Sequence, residues 1–131
     1  MTYTAWWDLD QAPIAGVGDV RMVIEDAADG VYPHGGQGIS IRIGGGEETD
    51  APLRIDIDAA VGRAAVSWRG VPGIEPAVEP IQTLTVGDDP YEAPVTIPAE
   101  LARVTPARAI QAVEEYVRTG ERPTCLEWKS E

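Results

Sequence analysis

The chain has 131 residues, which suits one domain around one hydrophobic core, and we expect residues 1–131 to form that single domain. Its 22 acidic and 10 basic side chains give a net charge of −12, which disfavours direct binding to nucleic acid or anionic membranes and favours a basic partner. The same charge would also serve solubility alone. A single cysteine, Cys125, excludes an internal disulfide and a cysteine-based zinc cluster, and we expect it to be a small buried hydrophobe.

The start of the chain indicates where the protein acts. Residues 1–10 lack the basic and apolar regions of a secretion signal. No stretch approaches the roughly 20 apolar residues that span a bilayer. We therefore expect a cytoplasmic protein that does not contact a membrane.

The first elements are a strand and a helix. Residues 3–8 alternate with a period of two and are rich in aromatics, which predicts a strand. Apolar residues at helical spacing over 20–28 predict a helix, with Asp19 as its N-cap and Gly30 at its end. Residues 33–38, with one proline and three glycines, predict a loop.

Three segments then alternate apolar and polar side chains. Residues 39–43, 53–58 and 64–68 predict antiparallel strands with one buried face. The connection 44–50 is rich in glycine and acidic residues, which predicts a solvent-exposed tip.

The next part of the chain is rich in proline. Residues 70–82 contain three prolines, which argue against a regular strand and predict a long excursion from the sheet. Residues 83–86 and 93–97 predict two strands around the turn-forming segment 87–91.

The clearest element is a helix over Pro106–Thr119, with Thr105 as N-cap and Gly120 as its stop. Residues 124–128 predict a last strand that returns the chain to the sheet and buries Trp128 under the helix. The predicted buried stripe of the helix consists of Ile110, Val113 and Val117. Together these elements predict an α+β fold with a single antiparallel sheet of about six strands and two helices packed on one side.

Catalytic chemistry finds little support in the sequence. His34 is the only histidine and has no neighbouring serine or cysteine, which favours a surface loop over a catalytic base. The carboxylate pairs Asp8 with Asp10 and Asp56 with Asp58 lack the spacing of a calcium-binding loop, which favours solvated strand faces. The glycine-rich segments are not followed by the Lys-Ser/Thr of a phosphate-binding loop. We expect no metal, no cofactor and no catalytic residue.

Two acidic loops are the candidate partner-binding surfaces. The second one holds an aromatic side chain among carboxylates, as the anchor of a protein interface often is. An ordinary solvated turn would explain this second loop equally well. The candidate residues are Glu47, Glu48 and Asp50 in the first loop and Asp88, Asp89, Tyr91 and Glu92 in the second.

The end of the chain resembles a known family. A helix leads into residues 115–128, which read Glu-Tyr-Val-Arg-Thr-Gly-Glu-Arg-Pro-Thr-Cys-Leu-Glu-Trp. This segment is similar to the ending of the first-described immunity protein family of bacterial polymorphic-toxin systems, common in actinobacteria. There a helix leads through a Thr-Gly and Arg-Pro turn into a strand that closes on Trp. Residues 53–58, 62–68 and 94–98 resemble its central segments, so the resemblance covers about residues 39–128.

The resemblance implies an inhibitor that occludes the active site of a cognate toxin, often a nucleic-acid deaminase, here most specifically a cytosine deaminase, and sometimes a nuclease. It also implies that Gly120, Pro123, Cys125 and Trp128 determine the fold. A basic toxin domain fits the charge of this chain. A non-enzymatic adaptor in a secretion or phage complex and a small carboxylate-dependent hydrolase stay open as alternatives. Nothing in the sequence indicates the oligomeric state.

Overall fold

The computed structural model describes residues 2–8, 10–29, 38–87 and 93–129. Within these residues the chain forms one sheet of nine strands and two α-helices. The helices are α1 (Val20–Asp29) and α2 (Pro106–Thr119). The strands are β1 (Tyr3–Trp7), β2 (Asp10–Ile14), β3 (Gly38–Gly44), β4 (Leu53–Asp58), β5 (Arg63–Trp68), β6 (Val71–Ile74), β7 (Leu84–Gly87), β8 (Val95–Ile97) and β9 (Glu127–Trp128).

The strands follow the spatial order β2-β1-β3-β4-β5-β6-β9, and all neighbours on this path are antiparallel. In addition, β7 pairs in parallel with the first residues of β3, and β8 pairs with β7. The α+β class is therefore confirmed. The sheet is larger than about six strands and contains one parallel contact, because short edge strands extend it on both sides.

The register of the central strands gives the sheet two different faces. Aliphatic side chains of β3, β4 and β5 lie on the face that packs against α1 and α2, the core face. The side chains between them point to the opposite, open face, because successive residues of a strand alternate. The aligned core pairs are Ile39 with Ile57, Ile41 with Ile55, and Ile43 with Leu53.

The first helix is confirmed, but its predicted cap is wrong. Asp19 ends a short 3₁₀ turn, Val17–Asp19, and its carboxylate accepts a hydrogen bond from the backbone N–H of Ala15 at 2.9 Å. Gly30 and most of the predicted loop that contains His34 lie outside the described residues. Gly38, predicted as the end of that loop, begins β3 instead. A Cβ there would lie 2.6 Å from a backbone oxygen of β4, so only glycine fits.

The second helix has the predicted ends. The Oγ1 of Thr105 accepts a hydrogen bond from the N–H of Arg108 at 3.2 Å, and Gly120 adopts the left-handed conformation with φ of 75°. The predicted stripe is partly wrong, because Val117 is only half-buried. Tyr116 is buried instead, and its ring centroid lies 5.0 Å from that of Tyr3.

Three strand predictions need correction. Strand β2 was not predicted, because an edge strand with Pro13 shows little alternation. Strand β6 forms although Pro72 argued against it, and the Pro72 carbonyl still accepts a hydrogen bond from the N–H of Lys129 at 2.9 Å. The last strand is limited to Glu127–Trp128 instead of residues 124–128.

A longer segment than the predicted excursion of residues 70–82 covers part of the open face. Its described residues are 75–87 and 93–104, and we call this segment the excursion. It contains β7, β8 and a small second hydrophobic cluster of Leu84, Val86 and Ala102. Arg103 holds it by donating hydrogen bonds to the backbone oxygens of Val78 and Pro76, at 2.9 and 3.0 Å. The proline-rich segment is thus fixed through its backbone carbonyls.

Candidate partner-binding site

The first acidic loop forms the exposed tip of the β3–β4 connection. Glu47, Glu48 and Asp50, the acidic tip, are all exposed, and the last two belong to a 3₁₀ turn, Glu48–Asp50. The turn closes through hydrogen bonds from the N–H of Asp50 to the Glu47 oxygen, at 3.0 Å, and from the N–H of Ala51 to the Glu48 oxygen, at 3.1 Å. In the described part of the chain, none of the three carboxylates forms an ion pair or a side-chain hydrogen bond. They are therefore available to a partner.

The second acidic loop connects β7 and β8. The two strands predicted around it form as β7 and β8, the second of them shorter than predicted, and they pair with Leu84 opposite Ile97 and Val86 opposite Val95. The four candidate residues Asp88, Asp89, Tyr91 and Glu92 lie outside the described residues. Their role in partner binding stays a prediction.

The carboxylates of β4 are not the solvated pair that the sequence predicted. Asp56 is 4% exposed on the open face, because the excursion covers it. Its oxygens accept hydrogen bonds from the Nε–H of Arg54 at 3.1 and 3.3 Å. Asp58 is half-buried and accepts hydrogen bonds from the N–H groups of Ala60 and Val61, at 3.1 and 3.3 Å. Both carboxylates thus have structural partners.

A cleft lies where the excursion leaves the open face. Its volume is about 230 Å³, and it is lined on the sheet side by Arg54, Asp56 and Ser67. The excursion supplies an apolar wall of Val95, Ile97 and Leu101. Sequence reasoning missed this cleft, because polar residues that alternate along a strand look the same whether solvent or a distant segment covers them. The only signal was the length of the excursion.

The end of the chain carries the motif residues, and they have structural roles. The indole Nε1–H of Trp128 donates a hydrogen bond to the Pro123 oxygen at 2.8 Å, and its ring packs on Gly73. Trp128 is half-buried at the sheet edge, so the prediction that it is buried under the last helix is wrong. Cys125 is likewise half-buried, and burial raises the pKa of its thiol.

Glu115 fixes the turn that precedes this motif. Its Oε2 accepts hydrogen bonds from the N–H and the Oγ1–H of Thr124, both at 2.7 Å. Burial acts to raise the pKa of Glu115, but the hydrogen bonds from Thr124 and the charge of Arg118 outweigh it and lower the pKa overall. The carboxylate therefore acts as a structural hydrogen-bond acceptor.

The described residues offer little basis for catalysis. Among them, no group of three or more histidine, cysteine or acidic side chains lies close enough to hold a metal ion. Asp10 is exposed on β2, and Asp8 occupies the turn before it with a φ of 54°. No helix in the described ranges is long and apolar enough to cross a membrane.

An exposed acidic tip and a cleft with hydrogen-bonding walls, on a stable α+β sheet, are features of a protein that binds another protein. The family comparison identifies which kind. The model of the immunity protein Imm1 family matches residues 9–130, and the chain belongs to this family of immunity proteins. The family match begins at residue 9, whereas the resemblance seen in the sequence began at about residue 39. Immunity proteins are not enzymes, so the chain is non-catalytic. Searches of curated proteins and of solved structures gave no significant match.

Proposed function

We propose that this protein protects the cell that makes a toxin by binding the toxin domain in the cytoplasm and covering its active site. Membership in the immunity protein family carries the proposal, because an immunity protein implies a toxin partner. We further propose that the toxin is a nucleic-acid deaminase that acts on cytosine. An enzyme that binds nucleic acid needs a basic groove for the phosphate backbone, and a net charge of −12 is complementary to such a groove.

The acidic tip is the proposed point of first contact. Glu47, Glu48 and Asp50 are exposed, carry three charges within four residues and form no ion pair within the described chain. Charges at the rim of an interface mainly accelerate the encounter of the two proteins. We propose that Asp88, Asp89 and Glu92 extend this rim and that Tyr91 is the anchor that enters the groove.

Inhibition of a toxin domain tests the function directly, and the product of a gene next to that of this chain is the first candidate to assay. The purified toxin domain is incubated with a cytosine-containing DNA substrate, and deamination is measured as the immunity protein is added. We expect activity to disappear at a one-to-one ratio. A complex that leaves the toxin active would instead support an adaptor, and inhibition of a nuclease would reject the deaminase.

Charge reversal tests the acidic tip. We expect the Glu47→Lys, Glu48→Lys, Asp50→Lys variant to associate with the toxin about tenfold more slowly at low salt and with a weaker salt dependence. The control is Glu25→Lys, Asp26→Lys, Asp29→Lys on α1, three exposed carboxylates whose reversal changes the net charge equally. Equal slowing in both variants would show that only the overall charge matters.

Truncation of the proposed anchor tests the second loop. Tyr91→Ala is expected to accelerate dissociation by about 30-fold or more, because a desolvated aromatic anchor contributes on the order of 2 kcal/mol after binding. Surface-based kinetics separate this effect from the slower association expected of the tip variant. A wild-type dissociation rate would place the anchor elsewhere, for example at Trp6 on the open face or in residues 72–80.

A further inference from the structure

The turn between β5 and β6 holds an arginine in an unfavourable backbone conformation. Trp68 pairs with Val71, so the turn consists of two residues, and Arg69 and Gly70 have φ of 49° and 86°. Positive φ at both positions is typical of a type I′ turn, which favours asparagine, aspartate or glycine at the first position. The geometry of the turn therefore does not explain Arg69, which is exposed.

A second exposed arginine lines the same surface groove as Arg69. Arg122 belongs to the turn that follows α2, and the two arginines border an open groove of about 570 Å³, the arginine groove. The other residues that line it are Trp68, Gly70 and Val71. The groove thus combines two cationic side chains with aromatic and apolar surface.

Both guanidinium groups are placed by tryptophan rings. The Cζ of Arg69 lies 5.7 Å from the centroid of the Trp68 ring, and the Cζ of Arg122 lies 5.4 Å from that of the Trp128 ring. Neither guanidinium forms an ion pair or a hydrogen bond within the described chain. Contact with a ring uses the face of a guanidinium, whereas its five N–H donors lie in its plane. These donors are therefore available to a partner.

The charge along the arginine groove is opposite to that of the whole chain. The net charge is −12, yet the groove is lined by two basic residues and by no acidic residue of the described chain. Glu121 lines an adjoining hollow that it shares with Arg122, but its carboxylate forms no ion pair in the described ranges. An anionic group of a partner is therefore complementary to the groove.

The arginine groove adjoins the acidic tip. The backbone N–H of Arg69 donates a hydrogen bond to the oxygen of Pro52 at 2.8 Å, and Pro52 follows the acidic tip by two residues. The next residue, Leu53, begins β4 and pairs with Trp68. One end of the sheet thus presents three carboxylates beside two guanidinium groups.

We infer that the arginine groove binds an acidic segment of the toxin, whose carboxylates accept hydrogen bonds from Arg69 and Arg122. The planar fork of arginine matches a carboxylate, and arginine and tryptophan are enriched among the residues that dominate binding at protein interfaces. The inference rests on the proposed function for the identity of the partner. It adds that the toxin carries acidic residues next to its basic groove, and two neighbouring contacts of opposite charge fix its orientation.

Neutralising the two arginines tests the inference. We expect the Arg69→Gln, Arg122→Gln variant to dissociate from the purified toxin domain about 30-fold faster, because charge-assisted hydrogen bonds are lost. The control is Ala107→Glu, Gln111→Glu, at two exposed positions in the first half of α2, which changes the net charge by the same amount. We expect it to dissociate at the wild-type rate. Equal acceleration in both variants, or a wild-type rate in the arginine variant, would overturn the inference.

Arg69→Asn separates binding from the stability of the turn. Asparagine suits a positive φ at this position, so we expect a thermal unfolding midpoint no lower than that of the wild type. Dissociation from the toxin domain should nevertheless be about tenfold faster. A lower midpoint together with a wild-type dissociation rate would show that Arg69 serves the turn alone, contrary to the inference.

Double-mutant cycles identify the acidic residues of the toxin. Each exposed aspartate and glutamate of the toxin domain is changed to its amide, and binding is measured to the wild type and to the Arg69→Gln, Arg122→Gln variant. We expect at least one change to weaken binding to the wild type about tenfold and to have little further effect on the variant. Strictly additive effects at every acidic residue would reject a carboxylate as the ligand.

Two further measurements separate this inference from its alternatives. Sedimentation of the free protein tests a second copy as the occupant, and a dimer that the Arg69→Gln, Arg122→Gln variant abolishes would assign the groove to that copy. Wild-type affinity in the arginine variant, while the wild-type protein inhibits the toxin, would reject the inference and leave the proposed function intact. A wild-type protein that neither binds nor inhibits the toxin would reject the proposed function, and the inference with it.

Discussion

The two faces of one sheet serve different purposes in this molecule. On the core face, Ile41, Ile55 and Val66 are 2% exposed or less and pack against the helices. Arg54 precedes Ile55 on β4 and Ser67 follows Val66 on β5, and both side chains point to the open face and line a cleft. The comparison shows that alternate residues of one strand stabilise the fold on one side and line a cleft with polar groups on the other.

The largest effect is expected at the centre of the core face. Ile55 is fully buried on a central strand, so Ile55→Ala should lower the free energy of unfolding by about 4 kcal/mol through lost burial and the cavity left behind. Ser67→Ala on the open face should change it by less than about 1 kcal/mol. Chemical denaturation measures both. Similar losses would contradict the division between the two faces.

A smaller loss is expected at the edge of the core face. Trp128 is half-buried, so Trp128→Ala should cost about 2–3 kcal/mol, less than a fully buried tryptophan. A Cβ on Gly73 would lie 2.8 Å from the Trp128 ring, so Gly73→Ala should also destabilise the protein. A double-mutant cycle is the check. The Gly73→Ala cost should largely vanish when Trp128 is alanine, and strictly additive losses would show that the two residues do not interact.

The ion pair tests the open face. Asp56→Ala leaves Arg54 without its acceptor, and we expect a loss of about 1–2 kcal/mol, because Arg54 is 28% exposed and water can partly replace the carboxylate. Replacing both residues by leucine should recover most of the loss, since no unpaired charge stays behind. Thermal unfolding of the single and double variants decides. A double variant no more stable than Asp56→Ala would show that the pair contributes to stability itself.

The smallest effect is expected outside the sheet, at Glu115. Its pKa is lowered in the folded protein from a reference value of 4.5, so its contribution to stability is present above pH 4.5 and is lost as the pH falls through the folded-state pKa. Glu115→Gln should therefore reduce stability slightly at pH 7 and flatten its acid dependence. Unfolding curves across the acid range measure this. A wild-type acid dependence in the variant would assign the acid sensitivity to other carboxylates.

The outcome for the site shows how far local sequence reaches. The exposure of Glu47, Glu48 and Asp50 could be predicted, because a glycine-rich acidic connection between two strands has no apolar side chain to bury. The burial of Asp56 could not. Its neighbours in sequence alternate as on any solvated face, and the segment that covers it follows later in the chain.

The sequence by itself determined the elements whose signals are local. Helix α2 has its cap, its first proline and its terminal glycine within the segment, and the central strands have strong alternation, so both were predictable. The tertiary structure alone decided the short strands β2 and β6, the parallel contact of β7 with β3, and the cleft. The parallel contact and the cleft depend on packing between distant segments, whose free energy no short stretch of the chain contains. The strands β2 and β6 pair with the strands that precede them, through backbone hydrogen bonds that side-chain alternation does not reveal.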